Sequence, residues 1–200
     1  HKAIRRQRQM CIRDSNITAS KLNGVQIALC NYATQARGLQ IGLVNYYKED
    51  MKGFQLGLVN ANPDTRVQMM VYGGNATPAN IGVRFKNQLF YTILGVGSMY
   101  QGLNDKFSAS ASYRAGLSFT LYKGLSISGD LGYQHIEAFD NKDEVIPKRL
   151  YALQARANLE YQFTRKFGIF ATGGYGLTRF YNKSSNYDKG AIIEAGIVLF

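Results

Sequence analysis

Tryptophan is absent from this 200-residue chain, proline occurs 3 times, cysteine 2 times, and only 18% of residues are charged. Each shortage excludes something. Two cysteines, Cys11 and Cys30, cannot build a disulfide framework or a four-ligand zinc site. No stretch reaches the roughly 18 uncharged apolar residues of a membrane-spanning helix, so a helical membrane protein is excluded. Low charge does not mean disorder here, because 46% of the residues are hydrophobic and offset the entropy of ordering. What is abundant is Gly (21) and Tyr (14), which with Ser, Thr and little Pro points to many strands and tight turns.

The formal net charge of +11 is unevenly placed. Residues 1–15, HKAIRRQRQMCIRDS, hold Lys2, Arg5, Arg6, Arg8 and Arg13 against Asp14, a balance of +4. The remainder carries 19 basic and 12 acidic side chains, or +7. A basic tail suits nucleic acid or anionic lipid. The segment RQRQMCIRDS, however, resembles translated sequencing-adapter sequence, a contaminant at the ends of metagenomic reading frames. Residues 1–15 are therefore set aside as a non-native or disordered tail, and no nucleic-acid partner is expected. On that reading the true N-terminus, with any signal peptide, is missing.

From residue 24 the chain repeats itself. Gly24-Val25-Gln26-Ile27-Ala28-Leu29-Cys30-Asn31 recurs as Gly38-Leu39-Gln40-Ile41-Gly42-Leu43-Val44-Asn45, then as Gly53-Phe54-Gln55-Leu56-Gly57-Leu58-Val59-Asn60. Apolar residues alternate with Gly, Gln and Ala, the period of two of a strand with one greasy face. On this alternation Cys30 falls on the small-polar, inward side with no metal partner. A repeat of 14 then 15 residues suits either a long strand plus a turn or one coil of a short β-solenoid.

The C-terminal half favours long strands. Phe107, Ala109, Ala111, Tyr113, Ala115, Leu117, Phe119 and Leu121 alternate with Ser108, Ser110, Ser112, Arg114, Gly116, Ser118 and Thr120 without a break in phase. Similar alternation runs from Leu125 to Tyr133, Tyr151 to Phe163 and Ile169 to Leu177. Such strands exceed the roughly 5–6 residues usual in soluble sheets and suit a tilted membrane strand of about 9–11 residues with projecting ends.

Turn parity tests the pairing, because residues directly opposite in a hairpin face the same way. Joining Leu121 to Leu125 across Tyr122-Lys123-Gly124 pairs apolar with apolar and sets Asp130 opposite Gly116, diagonal to Arg114. Phe163 and Phe167 obey the same parity across Thr164-Arg165-Lys166. Connections on the other rim, Gln101–Lys106, Asp140–Arg149 and Asn182–Lys189, are longer. Short turns on one rim and long loops on the other is the asymmetry of outer-membrane barrels. Tyr151 and Tyr161, ten residues apart on the greasy face, span roughly 23 Å of height at about 45° tilt, near the ~25 Å apolar band between aromatic girdles. Tyr113, Phe119, Tyr133, Phe163 and Tyr175 complete the expected girdles. A soluble barrel or sandwich would carry more Lys and Glu on its polar face than these Ser-rich strands do. A soluble barrel or a solenoid binding module stand as alternatives.

The GxQxGLVN units resemble those of surface-repeat outer-membrane β-barrel proteins of Bacteroidota and spirochaetes, over residues 24–60 only. The resemblance implies location in the bacterial outer membrane rather than an activity. The C-terminal strand, with Gly196 and the final Phe200, resembles in part the signal read by the barrel-insertion machinery, which is thereby implied as a partner together with outer-membrane lipid.

The polar face carries Arg84, Arg114, Asp130, Arg156 and Glu160. Ionisable groups turned into a barrel pair with one another or line a water path, so these five are candidates for either a structural network or a constriction. His135 falls on the lipid side near the outer rim, where a lipid-modifying hydrolase would place one, but no serine lies in phase beside it. Asp140, Asp143 and Glu144 are balanced by Lys142, Lys148 and Arg149 and read as a solvated loop rather than a Ca²⁺ site. Gly173-Gly174-Tyr175-Gly176 reads as strand rather than phosphate loop.

The expectation is an all-β, antiparallel up-and-down transmembrane barrel over residues 16–200, with about eleven strands present and twelve in the complete protein. It needs no cofactor, metal or catalytic residue. It serves either as a narrow porin-like channel for small polar solutes or as a non-conducting barrel acting through its loops.

Overall fold

The computed structural model describes residues 11–98, 107–139, 149–181 and 186–200. The chain forms two compact units, His1–Thr65 and Arg66–Phe200. Among the described residues eleven strands are present, the number the pattern predicts, but they divide between two different sheets.

In the first unit β1 (Cys11–Ile41), β2 (Val44–Leu56) and β3 (Val59–Ala61) pair in parallel. Gly38 lies beside Gly53, Gln40 beside Gln55, and Asn31, Asn45 and Asn60 follow in line. Each repeat is therefore stacked on its predecessor at the same height, one coil of a solenoid. Identical amides stacked in parallel register can chain donor to acceptor, and they do. Gln55 Nε2 donates to Gln40 Oε1 at 2.8 Å, and Gln40 Nε2 to Gln26 Oε1 at 2.9 Å. Asn31 Nδ2 donates to Asn45 Oδ1, and Asn45 Nδ2 to Asn60 Oδ1, both at 2.8 Å. Gly24, Gly38 and Gly53 take φ of +135°, +136° and +148°, which favours glycine. A Cβ on Gly53 would lie 1.8 Å from the Gly38 carbonyl oxygen.

Three expectations are corrected here. Residues 16–200 do not make one barrel, because the repeats pair parallel with each other while barrel strands alternate direction. The fifteen residues set aside as a tail are not wholly outside the fold, since β1 begins at Cys11; residues 1–10 lie outside the described residues. Cys30 is exposed rather than inward. The chain bends at Gly42-Leu43 and Gly57-Leu58, so the period of two breaks at the corner. There Leu43 and Val44 both face outward before Asn45 turns in.

The second unit is a closed antiparallel barrel of eight strands. They are β4 (Arg66–Gly74), β5 (Ala79–Asn87), β6 (Phe90–Ser98), β7 (Ser108–Tyr122), β8 (Leu125–Ala138), β9 (Arg149–Thr164), β10 (Phe167–Phe180) and β11 (Asn186–Leu199). Each pairs with the next, and β11 closes on β4 from Met69–Leu199 to Gly74–Glu194. The predicted registers hold: Phe119 faces Ile127, Gly116 faces Asp130, and Ile169 faces Tyr161. At the β7–β8 turn Gly124 has φ +80° and the register shifts between Thr120 and Tyr122. This bulge lets a tight Lys123-Gly124 turn keep apolar opposite apolar. Gln88-Leu89, Lys123-Gly124 and Arg165-Lys166 make the short-turn rim, where β4 begins and β11 ends.

Polarity is inverted relative to a water-soluble barrel. Inward Gln68, Arg84, Arg114, Asp130 and Gln134 are buried, while outward Leu131 is 72% and Val96 62% exposed. In the coil stack Gly53→Ala should speed amide exchange across residues 24–60, since the left-handed backbone and the Gly38 carbonyl both oppose a Cβ. Exchange in β7–β10 should remain as in the wild type.

Candidate functional site

Strand alternation sends every second side chain of β4–β11 into the lumen, and the five predicted charged residues all arrive there. Arg84 on β5 holds Glu160 on β9 bidentately, with Nη1 to Oε2 at 2.6 Å and Nη2 to Oε1 at 3.0 Å, while its Nε donates to Gln68 Oε1. Arg114 on β7 donates Nε and Nη2 to the two oxygens of Asp130 on β8, both at 2.8 Å. Arg156 on β9 donates Nη2 to Glu194 Oε1 on β11 at 3.2 Å. Glu194 Oε2 also faces Arg156 Nε at 3.2 Å and Arg114 Nη1 at 3.6 Å as ion pairs.

Neutral groups join these pairs into one network. Tyr91 on β6 donates its hydroxyl to Asp130, and Asn158 Nδ2 donates to the same carboxylate at 2.8 Å. Asn158 Oδ1 accepts from Arg114 Nη2 and from the Thr172 hydroxyl on β10. Arg84 lies 5.9 Å over the Tyr91 ring and Arg114 5.9 Å over Tyr72. Every strand of the barrel contributes: Gln68, Arg84, Tyr91, Arg114, Asp130, Asn158, Thr172 and Glu194 come from β4 to β11 in turn. Three guanidinium groups face three carboxylates, so the network is neutral. Such a balance matters because an unpaired charge at this burial costs several kcal/mol.

Apolar side chains share the lumen with the network. Toward the short turns Met70, Tyr72, Tyr91, Ile93, Phe170 and Val198 cluster at the level of the Arg84–Glu160 pair, with Ile93 opposite Arg84 and Phe170 opposite Glu160, and Phe200 packs against them. At the long-loop end Ile136, Ala138, Leu150 and Ala152 cluster with Ala76 and Phe180. Between network and long-loop cluster, Gln134 Nε2 donates to Ser110 Oγ and Gln154 Nε2 donates to Gln134 Oε1. A cavity of about 480 Å³ opens at the long-loop mouth, lined by Asn75, Gln154, Thr178, Asp188 and Lys189 among others.

Sequence reasoning missed Glu194, Tyr91 and Asn158. The alternation that put Arg156 and Glu160 inside also puts Asn158 there, between them. Glu194 is in phase with the inward Gly196 and Val198, but its partners are not on a neighbouring strand: Arg156 lies two strands away, beyond β10, and Arg114 lies across the lumen on β7.

The expected girdle residues lie on the outer face. Tyr113 faces Tyr133 across β7–β8, and Tyr133 stacks on Tyr151 with ring centroids 6.1 Å apart. Tyr181 meets Tyr151 at 5.1 Å. Towards the short turns, Tyr161 meets Phe163 at 4.9 Å, and Phe163 meets Phe167 at 6.0 Å. Phe119 and Tyr175 are exposed on the same side. His135 Nδ1 is bonded to the Tyr181 hydroxyl at 2.7 Å, with Glu137 at 4.0 Å, an arrangement of rim residues. Gly196 is held by close approach, since a Cβ there would lie 2.4 Å from both Tyr72 Cβ and the Val71 carbonyl oxygen. The loop candidates 101–106 and 140–148 and residues 182–185 lie outside the described residues, whereas Arg149 opens β9 and pairs with Glu137 at 3.3 Å. Asn186–Lys189, expected in a loop, belong to β11.

Compared with protein-family models and with curated protein sequences, the chain matches none. Among solved structures, the N-terminal β-barrel domain of Pseudomonas aeruginosa OprF is similar at 17% identity and TM-score 0.41, over 66% of this chain and 93% of that one. Neisserial surface protein A is similar at 9% identity and TM-score 0.44, over 66% and 92%. Acinetobacter baumannii CarO2 is similar at 10% identity and TM-score 0.31, over 66% and 97%. At such low identity and TM-score these likenesses carry no functional inference.

Glu194→Gln should lower barrel stability in detergent by about 3–5 kcal/mol, because it leaves buried Arg156 uncompensated. His135→Ala on the exposed rim should stay within about 0.5 kcal/mol of the parent. Urea titration followed by the heat-dependent gel shift reads both.

Proposed function

We propose that residues 66–200 span the bacterial outer membrane as a closed, non-conducting barrel that anchors the chain and presents its long-loop rim outside. The observation that carries this is the lumen: a neutral network touching all eight strands, with one apolar cluster packed beside it and another at the long-loop end. An eight-stranded barrel has an interior that side chains just fill. The outward apolar face and the aromatic clusters toward its two ends support a lipid environment. In this orientation the short turns face the periplasm.

The porin-like alternative would pass small polar solutes beside Arg114, Asp130, Arg156 and Glu160. It is the less supported reading, because those side chains are bonded to one another rather than lining a gap. The reading assigns no catalysis, and it leaves the insertion machinery as a partner through the strand ending at Phe200.

Single-channel recording of the refolded protein in a planar bilayer should give no discrete steps, in the parent and in Arg156→Ala alike. Steps whose ion selectivity changes in Arg156→Ala would establish a pore and overturn the closed-barrel reading. Leu131→Arg, at a fully outward position, should weaken insertion by about 2–4 kcal/mol if it sits near the bilayer midplane, measured by folding into vesicles against urea.

A further inference from the structure

The coil stack of residues 16–61 has its own unexplained surface. Its amide ladders lie inside: Gln40 and Asn45 are fully buried and Asn60 nearly so. Its large apolar side chains face out. Phe54 is 72% exposed, Leu29 53%, Leu56 51% and Leu43 49%. In-register pairing aligns them into rows, with Leu39 beside Phe54 and Ile41 beside Leu56. The three GxQxGLVN stretches contain no charged residue. An exposed apolar surface built by repetition, over an interior of bonded amides, is arranged for an apolar neighbour.

We propose that this face lies in membrane lipid, at the boundary between hydrocarbon and headgroups. The inference rests on the reading of residues 66–200 as a membrane barrel. Two observations select lipid over other occupants. Only residues 62–65 separate β3 from β4, so lipid is the apolar partner at highest effective concentration. Arg37 and Lys52, both exposed, pair side by side at the edge of the apolar rows. Like charges directly opposite in a sheet repel. Lipid phosphates would offset that repulsion while the aliphatic stems extend over the apolar rows.

Depth-dependent quenching of the full chain tests this. A bimane probe is placed at Phe54→Cys, Lys48→Cys or Leu131→Cys, each in a chain carrying Cys11→Ser and Cys30→Ser. The proteins are reconstituted in phosphatidylcholine vesicles with brominated acyl chains. Probes at positions 54 and 131 should both be quenched several-fold more than the probe at 48. Quenching at 131 with none beyond the level of 48 at position 54 would overturn the inference while leaving the barrel in the membrane. A second copy covering the face would give that same result. No quenching at 131 would remove the membrane reading and the inference with it. Leu58→Cys provides a second position on the face should Phe54→Cys fail to fold.

Discussion

Eight strands close around a space that side chains must fill, and in this barrel polar side chains fill much of it. Once the outer surface is apolar, the lumen is where the ionisable groups of the strands can gather. There each must find a partner, because desolvated charges are stable only when paired and hydrogen-bonded. The Arg84–Glu160 and Arg114–Asp130 pairs, with Glu194 between Arg114 and Arg156, meet that constraint together. Tyr91 and Asn158 matter because they bond the Asp130 carboxylate that faces Arg114. Backbone ladders close the wall; the network ties opposite walls to each other.

The coil stack answers a related constraint by different means. Its interior also holds polar groups, but these are neutral amides stacked on copies of themselves, so no charge needs balancing. That solution depends on parallel, in-register stacking, which in turn depends on glycine at positions 38 and 53. There the backbone takes φ of +136° and +148° and approaches the neighbouring coil too closely for a side chain. One chain thus carries two arrangements with polar groups inside and apolar groups outside.

Much of the barrel was legible in the sequence because its strands alternate without interruption. Parity at Leu121 and Leu125 alone gave the β7–β8 register and put Asp130 opposite Gly116. Period two, however, does not distinguish antiparallel from parallel pairing. The recurrence of Gln26, Gln40 and Gln55 at one position of each repeat, and of Asn31, Asn45 and Asn60 at another, was the available sign of parallel stacking. Carrying the pattern of the C-terminal half over to the repeats obscured it. Cys30 was misplaced because a coil corner shifts phase, and Glu194 was overlooked because its partners lie two strands away on β9 and across the lumen on β7 rather than on a neighbouring strand.

A double-mutant cycle on Arg84 and Glu160 tests most directly whether the lumen network holds the barrel. With Arg84→Met, Glu160→Leu and the double variant compared by urea unfolding in detergent, each single change should cost about 3–5 kcal/mol. The double variant should recover much of that loss, with a coupling of about 2 kcal/mol or more. Single variants close to the parent, or costs that simply add, would mean the charges are solvated in an open lumen and would contradict the account.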